Sequence, residues 1–431
     1  MDHDVQHYNL DQKFDFTSAI KKTIFKVLGI GALLLVIGIA MAMFGGGHNE
    51  AAEAEGHAFH WSQRFYSNLW INNVYFIGIS LVGVFFFAIQ YAAQAGWSTA
   101  ITRIMLSLGS WLPYAGGLLL VTFIVADHDL FHWTHSYLYD KGNPALYDSI
   151  IDGKATFFYW PLGKGTFPIL FLLRMVLFIG FWIFFVKKFL AINDAEDMTG
   201  GSSHWYKMRS WTAYFIIFFA VSSSIASWDW IMSIDTHWFS TLFGWYVFSS
   251  WFVSALSAIT LMTIFLRSLG YLEMVNENHV HDLGKFVFGF TIFWAYLWFS
   301  QFLLIYYANL PEEAVYFIER LSSGIYRPFF FANLALNFVL PFLLLMTRDS
   351  KRHGVFLKLV CTMIIVGHWV DFFLMVQPGT LGQHGGVGFM EIGMFLVYGS
   401  VVTFVVFSSL AKRNLVPKNH PMLEESYHHH I

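Results

Sequence analysis

The chain has 431 residues, of which 56% are hydrophobic and 20% aromatic, whereas only 12% are charged. An average soluble domain has about twice that share of charged residues, so most of this surface is expected to face lipid. The formal net charge of -3 offers neither a basic surface for nucleic acid nor an acidic tail. These values exclude a nucleic-acid-binding protein and predict an integral membrane protein.

The chain contains a single cysteine, Cys361, which lies inside an apolar run. One cysteine excludes an intrachain disulfide and provides no spacing for zinc, an iron-sulfur cluster or covalent haem. Any redox centre is therefore expected to be non-covalent or to belong to a partner.

Ten apolar runs are close to the ~20 residues that a helix needs to cross a hydrocarbon core ~30 Å thick. They are 24–44, 72–93, 101–125, 168–190, 211–230, 241–267, 285–308, 328–346, 355–376 and 387–411. The boundary between the fifth and sixth runs is the least defined, because 228–240 is itself half apolar. The first run is preceded by a polar segment, and no small-residue cleavage site follows the run. We therefore interpret this run as a retained span. The His-rich end, 427–431, is left out of the site prediction.

Most of the 25 Lys and Arg residues fall on the side of the N-terminus when the runs alternate in direction. The other side has only Arg64, Lys141, Lys154, Lys164, Arg320 and Arg327, and Arg174 lies within a run. The positive-inside rule therefore predicts that both termini are cytoplasmic. We expect one membrane domain over 1–431, with a cytoplasmic segment at 1–23, a cytoplasmic tail at 412–431 and long outer loops at 45–71 and 126–168.

Ionisable and strongly polar residues within the runs concentrate in the outer half of the predicted bilayer. The candidates for a proton path are Asp127, His128, Asp229, Asp235, His368, Asp371 and Glu391. Arg174 and Gln301 are candidates for a structural or quinone-orienting role. Away from its edge, the inner half has only uncharged groups such as Ser222, Thr260 and Gln90.

A charge at the bilayer centre costs at least ~2.5 kcal/mol, so these groups should face the bundle interior and have partners. Arg174 has a structural interpretation, an ion pair with Asp229 or Asp371 that ties helices together. His368 and Asp371 are three residues apart on one helix face, where their contact would favour a protonated, proton-exchanging imidazole. The alternative is a neutral histidine bonded to a serine or a backbone carbonyl.

The exit of the third run, 127–135, has three histidines that share a face if the helix continues: His128, His132 and His135. Such a face is the geometry of a metal site, but without cysteine and at the water interface a hydrated, proton-accepting surface is favoured. Membrane haem needs facing histidines at mid-depth, where His368 stands alone. We therefore predict neither a metal nor haem in this chain.

The segment 227–241 is dense in tryptophan, acids and histidine. An aromatic belt at the membrane interface explains the tryptophans. It does not explain Asp229, Asp235 and His237, which favour a hydrated cavity or a partner surface.

The same segment carries a resemblance to a known family. A Trp-Asp-Trp-Ile-Met-Ser core at 228–233 and a His-Trp-Phe-Ser-Thr-Leu-Phe-Gly tail at 237–244 resemble the signature of the membrane subunits of bacterial alternative complex III, specifically the ActF type. These subunits belong to the NrfD/PsrC-like family. The resemblance extends over most of the chain, including the ten spans and the charged exit of the third.

The resemblance implies an all-helical fold in which spans 2 to 5 and 6 to 9 form two four-helix bundles flanked by spans 1 and 10. It implies a subunit of a quinol:cytochrome c, or other periplasmic acceptor, oxidoreductase in the bacterial inner membrane. Haem and iron-sulfur clusters are then expected in partner subunits, and no cofactor in this chain. The implied partners are a homologous NrfD-like subunit, iron-sulfur and cytochrome c subunits, a terminal oxidase in a supercomplex, and membrane lipids.

Within this interpretation we expect structural support and proton conduction through an outer half-channel. The first alternative is the quinol-binding NrfD-like type of subunit, with His368 or Asp371 accepting a quinol proton and Arg174 orienting a carbonyl. The second is a secondary transporter, for which Pro341 and Gly180 would interrupt spans, although the two halves lack paired broken segments.

Overall fold

The computed structural model describes residues 8–44 and 60–430. In these ranges the chain is helical and forms no strand, apart from an isolated bridge between Lys13 and Asn414. Ten of its helices are long and apolar enough to cross a membrane. We call them spans 1 to 10: Ser18–Phe44, Trp61–Ala92, Gly96–Leu130, Ile169–Thr199, Ser202–Ile234, Phe243–Ser268, Glu277–Ala308, Arg327–Leu344, Gly354–His384 and Phe389–Leu410. The number of spans predicted from hydropathy is confirmed.

Several spans are longer than their apolar runs. Span 2 begins at Trp61 and not near 72, span 4 continues to Thr199, and span 7 begins at Glu277. Hydropathy detects only the part of a helix that contacts hydrocarbon, whereas backbone hydrogen bonds continue through its polar ends. The prediction of a loop over 45–71 is therefore wrong for 61–71, and 45–59 lies outside the described residues.

Two possibilities considered from the sequence, a break of span 4 at Gly180 and a helix that continues beyond Leu130, are not present in the structure. Span 4 passes through Gly180 as one uninterrupted helix. Span 3 ends at Leu130 and Phe131 is extended, so the helix does not carry His128, His132 and His135 on one face. Span 8 does change its winding, with a π-helical turn at Ala335–Val339 directly before Pro341.

Shorter helices lie between and after the spans: Ser149–Tyr159, Pro311–Ser322, Arg348–Arg352 and Leu423–Tyr427. Pro311–Ser322 is amphipathic: Tyr316, Phe317 and Arg320 are buried against the bundle, whereas Val315 and Ile318 are exposed. Its proline at the first position and two acids in the first turn are typical of a helix N-terminus.

Span 2 lies at the centre of the molecule. In its most apolar window 89% of the residues are buried, against 11% in span 1. Span 2 contacts spans 3, 5, 6, 9 and 10, while span 1 packs mainly on span 10. Span 2 approaches span 6 closely at Gly78, where the Cβ of any larger residue would overlap the Trp251 indole.

Large apolar side chains cover the outside of the bundle. Leu33, Ile217 and Leu304 each expose at least 60% of their surface. An exterior of this kind, on helices of this length, is that of a multi-pass membrane protein.

The first and last described segments of the chain meet at one end of the bundle, which we call the terminal face. The backbone N–H of Leu415 donates to the carbonyl of Gln12, and Lys418 pairs with Asp11. The last residues also pack here, since His429 lies 2.7 Å from Asp282. Residues 427–430 are therefore packed against this face, while Ile431 lies outside the described residues. The opposite end, where spans 2, 4 and 10 begin, is the distal face.

Candidate functional site

A buried ion pair joins spans 2 and 10 at the distal face. Arg64 donates from Nε and Nη2 to the two carboxylate oxygens of Glu391, at 2.7 and 2.8 Å. Asn68 adds a hydrogen bond of 2.7 Å, and Glu391 itself accepts the Gly388 N–H at 2.8 Å, capping span 10. The carboxylate is fully buried, so these four donors replace its hydration. The charge of Glu391 is thus balanced by Arg64, and its carboxylate is fixed in position.

Arg174 and Asp229 form a second pair, between spans 4 and 5. The guanidinium donates from Nε and Nη2 to both carboxylate oxygens at 2.7 and 2.9 Å. Its Nη1 donates to the Phe157 carbonyl at 2.8 Å, and its Cζ lies 4.0 Å from the Phe157 ring centroid. Arg174 therefore pairs with Asp229, one of the two partners considered from the sequence, and ties the helices and the Ser149–Tyr159 segment together.

The third pair attaches the amphipathic helix Pro311–Ser322 to the bundle. Arg320, which is 2% exposed, donates to Asp235 at 2.9 Å and to the Leu374 carbonyl at 2.8 Å. Burial lowers the pKa of its guanidinium, but Tyr316 and Asp235 more than offset this effect and raise it. Arg320 is therefore a permanent cation that holds Asp235 and the surface helix on span 9.

Asp371 differs from these acids because it has no arginine. It is fully buried in span 9 and accepts hydrogen bonds from Tyr246, Ser250 at 2.7 Å, Trp294 at 3.0 Å and Asn333 at 2.8 Å. Among the described residues no Lys or Arg forms an ion pair with it. Neutral donors from spans 6, 7 and 8 thus surround a carboxyl group that carries no compensating fixed charge.

His368 lies one turn before Asp371 and is also fully buried. Its Nδ1 is 3.8 Å from the Asp371 carboxylate, beyond a direct hydrogen bond. Neither ring nitrogen has a hydrogen-bond partner within the described part of the chain. Neither the serine nor the carbonyl partner of the neutral alternative is therefore present among the described residues.

A small cavity connects Asp371 to Arg320. It offers about 20 Å³ to the centre of a water molecule, enough for about one water. Its polar lining is formed by Tyr246, Gln301, Tyr316, Arg320, Asn333 and Asp371. The Gln301 Oε1 is buried without a partner among the residues described, so it is available to bind that water. Polar groups thus run from the buried Asp371 to Asp235, whose side chain is 14% exposed at the distal face.

Asp127 and His128 stay at the distal surface and do not join this interior group. Asp127 accepts the backbone N–H of His128 at 2.9 Å, and the His128 ring lies 2.9 Å from Thr134. The rings of His128 and His135 are 5.4 Å apart. Burial, together with His135, lowers the pKa of nearby His132. Over 8–44 and 60–430, no group of three or more His, Cys, Asp or Glu could hold a metal ion.

Sequence reasoning missed several residues of this site. Arg64 and Arg320 were interpreted only as charges of the outer loops. Their acidic partners are far away in sequence, 327 residues for Arg64 and 85 for Arg320. Tyr246, Trp294 and Asn333 look like ordinary span residues. Asn333 and Asn337, four apart in a short and otherwise apolar run, were the available signal, because two amides on one helix face need partners.

The fold and the site define an all-helical, multi-pass membrane protein with three arginine–carboxylate pairs near one face and a carboxyl group without an arginine partner behind them. In comparisons with known proteins, no family model and no curated protein matches the chain.

Proposed function

We propose that this protein is a membrane subunit of a bacterial respiratory quinol-oxidising complex of the alternative complex III type, in which it supports assembly and exchanges protons through a half-channel. The observation that carries the proton role is Asp371, a fully buried carboxyl with neutral donors, an adjacent histidine and a cavity the size of one water. A group that must gain and lose a proton is poised for it when no fixed cation locks it in the charged form.

The resemblance of 227–244 supports the assignment to this class. Helix contacts support the expected arrangement, because spans 2 to 5 contact in one ring and spans 6 to 9 in another, while span 1 packs on span 10. Under this proposal the terminal face is cytoplasmic and the distal face periplasmic in the bacterial inner membrane. Iron-sulfur and haem subunits, and a homologous NrfD-like subunit, would complete the complex and carry its electrons.

The roles of the acids divide within the proposal. Asp371 and His368 exchange protons, the cavity water and Gln301 connect them outward, and Asp235 faces the outer solution. Asp229 and Glu391 act as ion-paired ties between helices. Two-electron oxidation of a quinol releases two protons, so an acceptor chain that opens toward the periplasm suits a protein beside the quinol site.

The second candidate is a quinol-binding subunit. The 20 Å³ cavity is too small for a quinone ring, but a groove of about 550 Å³ lies on its outer side, between the end of span 7 and the helix Pro311–Ser322. Phe317 lines both spaces and separates them. A quinol tail in the groove would reach the polar groups only if Phe317 moved.

The test uses the assembled complex carrying Asp371→Asn, with Asp349→Asn as the matched control. Asp349 is exposed in a short helix of the terminal face, so its amide variant should keep full activity. Asp371→Asn keeps the shape of the side chain but cannot carry a proton, and quinol-dependent proton release should fall by roughly tenfold or more.

A complex that assembles with Asp371→Asn and releases protons at the wild-type rate would refute the proton role. A quinone analogue that protects Phe317→Cys, but not Ile217→Cys on the lipid-facing surface, from alkylation would favour the quinol-binding candidate.

A further inference from the structure

A second group of buried polar side chains lies at the terminal face, at the other end of the bundle from Asp371. Arg103 at the start of span 3 is 4% exposed, and Asn193 and Glu196 near the end of span 4 are 1% and 2% exposed. Tyr91, at the end of span 2, is 4% exposed. Tyr91 and Arg103 lie at the inner ends of their apolar runs, and Asn193 and Glu196 lie beyond the end of theirs. The prediction of an uncharged inner half applied away from the edge of the runs and therefore did not include these residues.

Charges in this group do not balance. Arg103 donates from Nη2 to Asp197 at 2.7 Å, which neutralises that acid. Glu196 precedes Asp197 in the chain. Among the described residues, no Lys or Arg forms an ion pair with Glu196. Two cations of the same face are engaged elsewhere, Arg413 with Asp194 and Lys418 with Asp11. One buried carboxyl is therefore left without its own counter-charge.

Hydrogen bonding in the group is incomplete as well. The atoms buried without a partner in the described chain are Tyr91 Oη, Arg103 Nε and Nη1, Asn193 Nδ2 and Oδ1, and Glu196 Oε1. Buried polar atoms are nearly always satisfied by protein or by ordered water, so a concentration of unpaired donors and acceptors indicates bound water. Asn193 and Glu196 are three residues apart on one helix and present these atoms on the same face.

The C-terminal tail covers this group. Asn419 donates to the carbonyls of Glu196 and Asp197 at 3.2 and 3.0 Å, and the Lys418 N–H donates to the Asp197 carboxylate at 3.1 Å. The His420 ring lies 5.4 Å from the Tyr91 ring and is 7% exposed. The tail thus separates the group from the surrounding solution.

We propose that Glu196 is a proton-exchanging carboxyl in a buried, water-binding site of the terminal face, bounded by Tyr91, Arg103, Asn193 and the tail. The ligands of the site are water and a proton. When Glu196 holds the proton, the charges of Arg103 and Asp197 balance; when it releases the proton, the unpaired nitrogens of Arg103 and the bound water stabilise the carboxylate. The proposal does not depend on the function of the distal site, because it rests on other residues.

The experiment is infrared difference spectroscopy of the purified full-length protein in lipid nanodiscs, with pH steps in H₂O and D₂O. A buried carboxyl that exchanges its proton gives a carbonyl-stretching band of the protonated form that appears on acidification and shifts in D₂O. We expect Glu196→Gln to remove one such band. Glu277→Gln, an exposed glutamate on the same face, should leave this band in place.

A second variant covers the case in which Glu196→Gln does not fold. Tyr91→Phe removes one hydroxyl from the site and should shift the frequency of the same band without removing it. The proposal is overturned if the wild-type protein has no such band, if the band persists in Glu196→Gln, or if Tyr91→Phe leaves its frequency unchanged. Bands from Asp371 are distinguished by their loss in Asp371→Asn.

Discussion

The ion pair between Arg174 and Asp229 should contribute more to the stability of this protein than any exposed pair of the same geometry. Its guanidinium is 14% exposed and its carboxylate 1% exposed, with both carboxylate oxygens bonded. Removing one partner of a buried pair leaves the other charge without compensation and costs about 3–5 kcal/mol. Arg174→Gln strands the deeply buried acid, so we expect a loss of about 4 kcal/mol from the free energy of unfolding.

Asp229→Asn should cost less, about 3 kcal/mol, because Arg174 keeps its bond to the Phe157 carbonyl and some contact with the exterior. In the double variant no charge is stranded, so the total loss should not exceed the about 4 kcal/mol of Arg174→Gln alone and should lie well below the sum of the two. The coupling energy is then at least about 3 kcal/mol. The measurement is reversible unfolding in mixed micelles with increasing dodecyl sulfate, followed by circular dichroism.

The matched control is the pair of Arg413 and Asp194 at the terminal face. It has the same two-bond geometry, at 2.6 and 2.8 Å, but its side chains are 27% and 44% exposed. An exposed pair contributes about 0–1 kcal/mol, so its cycle should give a coupling energy within that range. Additive losses at Arg174 and Asp229, or equal coupling in the two cycles, would refute the view that burial makes the distal pair a structural tie.

Two further predictions concern packing and pH. Gly78→Ala should lower the free energy of unfolding by about 1–3 kcal/mol, because its methyl group would overlap Trp251. The control is Gly289→Ala, since no atom lies within 4 Å of the added methyl group. It should not destabilise the protein in the same unfolding assay. Burial, with the charge of Arg103 second, lowers the pKa of His420 from 6.5 to about 4, so the folded tail holds the neutral ring. The His420 ring of the unfolded tail binds a proton more readily than that of the folded tail. The contribution of the neutral ring to the stability of the folded tail is therefore complete above pH 6.5 and declines by about 3 kcal/mol in all as the pH falls to about 4. Limited proteolysis of the tail over this pH range should show the decline. His420→Gln should remove this pH dependence of tail stability. His428→Gln, which changes an exposed neighbour, should keep it. Equal pH profiles for the wild type and His420→Gln would contradict the role of His420.

Hydropathy alone predicted the ten spans, because a window of ~20 apolar residues is what lipid demands of a crossing helix. It could not predict the helix ends. Trp61, Arg64 and Asn68 are polar or interfacial residues, and their helix is fixed by contacts with span 10, whose Glu391 lies 327 residues beyond Arg64 and 323 beyond Asn68. Long-range contacts of this kind leave no periodic pattern in the local sequence.

The sequence predicted mainly those residues of the candidate site that lie inside apolar runs. Asp371, His368 and Asp229 are conspicuous because ionisable residues in apolar runs are costly. Arg320 and Glu196 are not conspicuous, since both lie outside the runs, where charged residues are common. Only the tertiary structure shows that they are buried to 2% exposure.

The helix Pro311–Ser322 gives this protein a mechanical link between its outer surface and its interior. One side of the helix exposes Val315 and Ile318, and the other supplies Tyr316, Phe317 and Arg320 to the wall of the cavity beside Asp371. A neighbouring protein that presses on or lifts this helix would therefore change the size and polarity of the water space next to the buried acid without moving any membrane span. The exposed and buried sides of this one helix thus place a surface available for contact one helix thickness from the interior carboxyl.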